Sequence, residues 1–101
     1  MPIDMRGINP APVTPFTPDG EVDYATIKRL GSWLGSIDGV TSLVVLGHAG
    51  EGTFLSQDEK SRVIEAFVAS TDGRLPVVAG ISLEGTAVAV EESKCAVRAG
   101  A

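Results

Sequence analysis

Three short apolar runs alternate with three helical patterns, and that alternation constrains this chain more than any single motif. The runs are Ile8 to Val13, Ser42 to Leu46 and Leu75 to Gly80. Each precedes a segment whose apolar or small residues recur at helical spacing. Strand and helix in strict alternation imply a parallel sheet with right-handed crossovers. Two architectures satisfy this: a small open sheet, or the first part of a (β/α)8 barrel, whose full circuit takes about 250 residues. Periodicity leaves both open.

Residues 1–7 read as a lead-in. The first run contains Pro10 and Pro12, each of which removes a ladder donor, so its propensity is that of an edge strand or an extended loop. Pro18-Asp19-Gly20 is the strongest turn signal. Asp23 then caps a helix whose apolar face is Tyr24, Ile27, Leu30, Leu34 and Ile37, with Gly39 at its end. Gly31 and Gly35 weaken that helix by about 1 kcal/mol each relative to Ala, or permit close packing. Trp33 and Tyr24 read as packing or interface residues.

Ser42-Leu43-Val44-Val45-Leu46 reads as a strand buried on both faces. A second helix runs from about Gln57 to Thr71. It opens on Ser56-Gln57-Asp58-Glu59, which spells a capping box. Val63, Ile64, Phe67 and Val68 form its buried stripe, and Asp58, Glu59, Lys60, Arg62 and Glu65 occupy the rest. Asp72-Gly73 closes it, and Pro76 stands near the start of the third run, where a missing donor is tolerated. Thr86 is the expected cap of a third helix reaching towards Ala99. Its stripe of Ala89, Val90, Ser93, Ala96, Val97 and Gly100 suits close packing on a sheet, and Cys95 reads as a core residue. A helix that ends in Gly100-Ala101 is expected to lead into another strand, so residues 1–101 read as the N-terminal part of one domain.

Between the second run and the second helix lies Gly47-His48-Ala49-Gly50-Glu51-Gly52. A glycine-rich turn from the C-terminal end of a strand into a helix is where α/β proteins place ligands. Its glycines match neither the dinucleotide fingerprint nor a P-loop, since no Gly-Lys-Ser/Thr follows. Glu51 reads as a structural carboxylate bonded to nearby backbone or hydroxyl groups. Thr14 reads as a turn-stabilising hydroxyl.

Composition excludes several classes. A net charge of −5 argues against a general nucleic-acid binder. Met1 to Arg6 lacks the apolar core of a signal peptide, and no stretch approaches a membrane span. One cysteine cannot form an internal disulfide, so a reducing cytoplasm is expected. One His and one Cys in different elements lack metal-ligand spacing, and no metal or cofactor is expected.

Three ordered blocks resemble the dihydrodipicolinate synthase/N-acetylneuraminate lyase family of class I aldolases. The first is Pro10-Ala11-Pro12-Val13-Thr14-Pro15-Phe16 with Asp19-Gly20 and Val22-Asp23. The second is Gly47-x-x-Gly50-Glu51 with Leu55-Ser56-x-x-Glu59, and the third is Gly73-Arg74-x-Pro76-Val77-x-Ala79-Gly80. The resemblance implies the N-terminal portion, about three β/α units, of a (β/α)8 TIM barrel that assembles as a homotetramer when full length. It also implies a lysine that forms a Schiff base with pyruvate or a related 2-keto acid, a tyrosine that shuttles protons, and a loop, Gly47 to Gly50, that holds the substrate carboxylate.

The pattern departs from the family in three places. His48 and Ala49 stand where the family carries two hydroxyl residues; His48 reads as the relay residue, as an anion-binding group or as a loop histidine bonded to a backbone carbonyl, and Ala49 offers only its backbone N–H. The family's Schiff-base lysine and catalytic tyrosine lie beyond Ala101, so these 101 residues alone are expected to be inactive. Gln57, Lys60 and Val88 match the family's allosteric lysine site poorly. Two other readings remain: a non-catalytic α/β domain that binds a small carboxylate at the Gly47–Gly52 loop, and a structural fragment without a ligand.

Overall fold

The computed structural model describes residues 3–101; the first two residues of the expected lead-in lie outside them. The described chain forms α1 (Tyr24–Gly35), β1 (Leu43–Val45), a 3-10 turn (Gly52–Phe54), α2 (Gln57–Ser70), β2 (Val77–Ala79) and α3 (Thr86–Ala99). β1 and β2 pair in parallel, with Leu43 opposite Val77 and Val45 opposite Ala79.

The first run falls short of a strand. Ile8 brackets Val40, donating to Gly39 and accepting from Thr41, and the carbonyl of Pro10 accepts from Val44. Two residues on one side thus span three on the other, which is a one-residue bulge. Asn9 fills the mismatch, its Oδ1 accepting from the hydroxyls of Thr41 and Ser42. The two prolines remove the donors that a regular ladder requires. The segment nevertheless lies along the side of β1 that β2 leaves free.

The turn after it is a miniature hairpin. Thr17 and Asp23 donate to Glu21 and Pro15, and Gly20 closes the turn onto Thr17. This delivers Asp23 to the head of α1, where its carboxylate accepts from the amide and the hydroxyl of Thr26. Those bonds, the hydroxyl's first, hold the Asp23 carboxyl below its ordinary value. α1 stops at Gly35, short of the expected end, and Ile37 is exposed in the following turn.

The capping box of α2 is formed in full. Ser56 Oγ accepts from Glu59 N, and the Glu59 carboxylate accepts from Ser56 N. Val63, Ile64 and Phe67 are buried as the period requires, joined by Ala66, while Val68 is half-buried. Arg62 lies 4.1 Å over the Tyr24 ring and pins α1 to α2. Trp33 is exposed.

Three expectations are corrected. Within the described residues β1, the strand of the Ser42–Leu46 run, is fully covered on one face only: Leu43 and Val45 are buried, but Val44 is half-buried and Val78, its register partner, is exposed. Thr86 is the first residue of α3 rather than its cap; Gly85 holds that place and makes no side-chain bond. The buried line on α3 runs through Ala89, Glu92, Ala96 and Ala99, the two outer alanines half-buried, so Val90, Ser93 and Val97 face outward. Cys95 is half-buried, with its Sγ accepting from Arg98. The buried line differs from the expected stripe in containing a carboxylate, Glu92.

Candidate functional site

Parallel strands open their C-terminal ends towards one side, and three segments meet there: Pro12–Thr14, Leu46–Gly52 and Gly80–Ile81. Immediately after β1, Leu46 adopts the left-handed backbone at φ 60°, a conformation that costs a branched residue about 1–3 kcal/mol and persists only where neighbours enforce it. The neighbours are glycines. A Cβ on Gly50 would stand 2.9 Å from Leu46 N, one on Gly52 2.9 Å from the Leu46 carbonyl carbon, and one on Gly80 2.7 Å from Leu46 O. Three backbones therefore close on the Leu46 peptide at a distance that only glycine allows.

The turn is tied further by hydrogen bonds. Glu51 donates to His48 O, and Gly52 donates to Gly47 O. From the other side, the buried hydroxyl of Thr14 donates to Gly50 O at 2.6 Å. Thr14 thus fixes a distant loop, whereas its own turn is stabilised by the Thr17 hydroxyl, which accepts from Glu21 N. Glu51 also departs from expectation. Its side chain is exposed and makes no hydrogen bond to a described residue, and its contribution is a left-handed backbone at φ 55°.

These constraints leave the amides of Gly47, His48, Ala49 and Gly50 without an acceptor among the described residues. Gly47 is half-buried and Gly50 buried, while His48 and Ala49 are exposed at the tip. The four expected loop residues are thus contiguous, with consecutive free donors suited to an anion. Among the described residues, no three His, Cys, Asp or Glu side chains converge to hold a metal ion, and no helix is long and apolar enough to cross a membrane.

The model of the dihydrodipicolinate synthetase family matches residues 4–101. The chain belongs to this family. The 4-hydroxy-tetrahydrodipicolinate synthase of Salinibacter ruber is 44% identical over 101 residues, spanning 95% of this chain and 32% of that protein. Among solved structures, the chloride-inhibited dihydrodipicolinate synthase of Acinetobacter baumannii complexed with pyruvate superposes with a TM-score of 0.89 at 34% identity, over 97% of this chain and 33% of that one. The N-acetylneuraminate lyase of Proteus mirabilis gives 0.81 at 34% identity, over 91% and 31%. This chain spans about a third of the length of the relatives it matches. Its three units are part of the family's TIM barrel, which decides between the two architectures that the alternation of elements had left open.

Sequence reasoning found the loop but not what holds it. Leu46 carries no sign of its left-handed backbone, and Gly80 lies on a different unit. The available signal was the pairing of Gly80 with the Gly-x-x-Gly loop in the ordered blocks.

Proposed function

We propose that the whole protein is a Schiff-base-forming aldolase or lyase that makes or breaks a carbon–carbon bond using pyruvate or a related 2-keto acid. The observation that carries this reading is the run of four free amides at 47–50, held at the C-terminal end of parallel strands in a chain of this family. Such donors offer fixed partial positive charge to a carboxylate without reorganisation. The pyruvate bound to the Acinetobacter relative supports a three-carbon keto acid as the first substrate.

In this mechanism Gly47, His48, Ala49 and Gly50 hold the carboxylate. A lysine amine adds to the keto carbon, water leaves, and the resulting iminium withdraws electrons from the bond made or broken. His48 takes the relay position in place of a hydroxyl. Its ring nitrogens can both donate and accept a hydrogen bond, as the hydroxyl it replaces does. Lys28, Lys60 and Lys94 lie on α1, α2 and α3, none of them on a strand, and Tyr24 opens α1 beneath Arg62. The Schiff-base lysine and the proton-shuttling tyrosine are accordingly assigned to sequence outside these 101 residues. The whole protein acts as a cytoplasmic homotetramer and needs no cofactor.

Borohydride trapping tests the chemistry. The whole protein incubated with pyruvate and reductant should gain the mass of one reduced keto-acid adduct on one lysine. An unchanged mass with pyruvate and longer 2-keto acids would overturn the Schiff-base reading and leave carboxylate binding without catalysis. His48→Thr in the whole protein should alter the pH dependence of kcat/KM, because the relay group is exchanged for a hydroxyl. An unchanged profile removes His48 from the mechanism.

A further inference from the structure

Behind the loop lies a second polar cluster that the keto-acid mechanism does not use. Lys60 on α2 and Glu92 on α3 form an ion pair, with side chains 12% and 4% exposed. The pair engages only one carboxylate oxygen: Glu92 Oε2 is fully buried and has no partner among the described residues. A cavity of about 10 Å3 adjoins it, lined by Leu46, Gln57, Lys60, Gly80, Ile81 and Glu92 among others. That space holds about one water molecule. A buried carboxylate oxygen left without a donor is costly, so the site calls for one. The ion pair is already neutral, and a cation placed beside Lys60 would be repelled. The occupant that fits in size, charge and donor character is water.

We propose that one buried water bridges Glu92 Oε2 to the cavity wall, and that Lys60, Glu92 and this water form a positioning group for the 47–50 loop. The connection is direct. Two residues of the cavity wall, Leu46 and Gly80, are also the contact that locks the left-handed backbone from which the loop departs. Packing between α2 and α3 is thereby transmitted to the amides of the carboxylate cradle. The site itself stands on its own geometry, whereas its kinetic effect rests on the keto-acid reading above.

The test uses the whole protein, compared with Glu92→Gln and with the double variant Lys60→Met/Glu92→Leu. Glu92→Gln strands a buried ammonium and should lower Tm; the double variant removes both charges and should recover most of the loss. In the double variant the amides of residues 46–50 should nevertheless exchange about tenfold faster with deuterium, and KM for the keto acid should rise by a similar factor with little change in kcat. A crystal structure resolving ordered solvent should place a water within hydrogen-bonding distance of Glu92 Oε2. Wild-type exchange in a double variant of recovered stability would overturn the positioning role, because the pair would then serve helix packing alone. A dry cavity in that crystal structure would overturn the water. Should the wild-type protein turn over no keto acid, the functional reading fails, and loop exchange still decides this one.

Discussion

Helix α2 is held on its two sides by different physics. Towards α1 the contact is close and holds no buried ion pair: Ile27 is fully buried, and a Cβ on Gly31 would overlap the Ser70 side chain and stand 3.2 Å from the Phe67 ring. Towards α3 the contact contains a buried ion pair beside Ala96. The first interface is set by shape, with no room for a methyl group on Gly31, alongside the contact of Arg62 with the Tyr24 ring. The second depends on both partners, because either charge alone would be buried without compensation. One helix thus combines a side set by shape with a side set by charge compensation, and the charged side backs the candidate site.

The largest effect should come from Glu92→Ala. It strands Lys60 and should cost about 3–5 kcal/mol in denaturant unfolding, with the Lys60→Met/Glu92→Leu pair near neutral. Loss below about 1 kcal/mol would mean that Lys60 reaches solvent once released, and the contrast between the two interfaces would collapse. Next is Gly31→Ala, where overpacking should cost about 1–3 kcal/mol despite the better helix propensity of alanine. Adding Ser70→Gly removes the clashing side chain, and the double-mutant cycle should show strong coupling. Additive effects would place the strain elsewhere.

A smaller loss, about 1 kcal/mol, should follow Ser56→Ala, which unmakes half of the capping box at the head of α2. Because that end follows the loop directly, exchange at residues 57–60 should quicken more than exchange at the C-terminal turn. The smallest change at neutral pH should come from Asp23→Asn, which keeps a capping oxygen. Its signature is in the pH profile. The Asp23 carboxyl is held below its free value of 3.8, chiefly by the Thr26 hydroxyl. The stability it contributes is therefore complete above that value and lost as pH falls through the lower folded one. Stability curves of wild type and Asp23→Asn should converge in strong acid.

The same contrast explains what could be read in advance. The capping box, the Asp23 cap and the Val63, Ile64, Phe67 stripe are local, each set by residues within one or two helical turns, and all three are in place. The turn itself was legible too, because glycines between an apolar run and a cap permit the tight backbone that Gly50 and Gly52 make against Leu46. The stripe on α3 was not. Ala89 and Ala96 belong equally to a line through Val90 and Val97 and to one through Glu92, and within the described residues it is the second that is covered. Glu92 is buried because Lys60, on another helix, neutralises it. Likewise Pro10 and Pro12 foretold a defective strand, but not that Asn9 would bridge the bulge.

The sequence by itself determined the order of elements, the caps of α1 and α2, and the glycine-rich turn between β1 and α2. These follow from spacing, capping and glycine placement, interactions that act over a few residues. Tertiary structure alone decided which face of α3 is buried, which carboxylate is paired, and that Leu46 takes a left-handed backbone. Each of those outcomes requires groups from separate units, Gly80 against Leu46 and Lys60 against Glu92, to arrive at one place. Burial and charge compensation are properties of that meeting, and neither residue carries them alone.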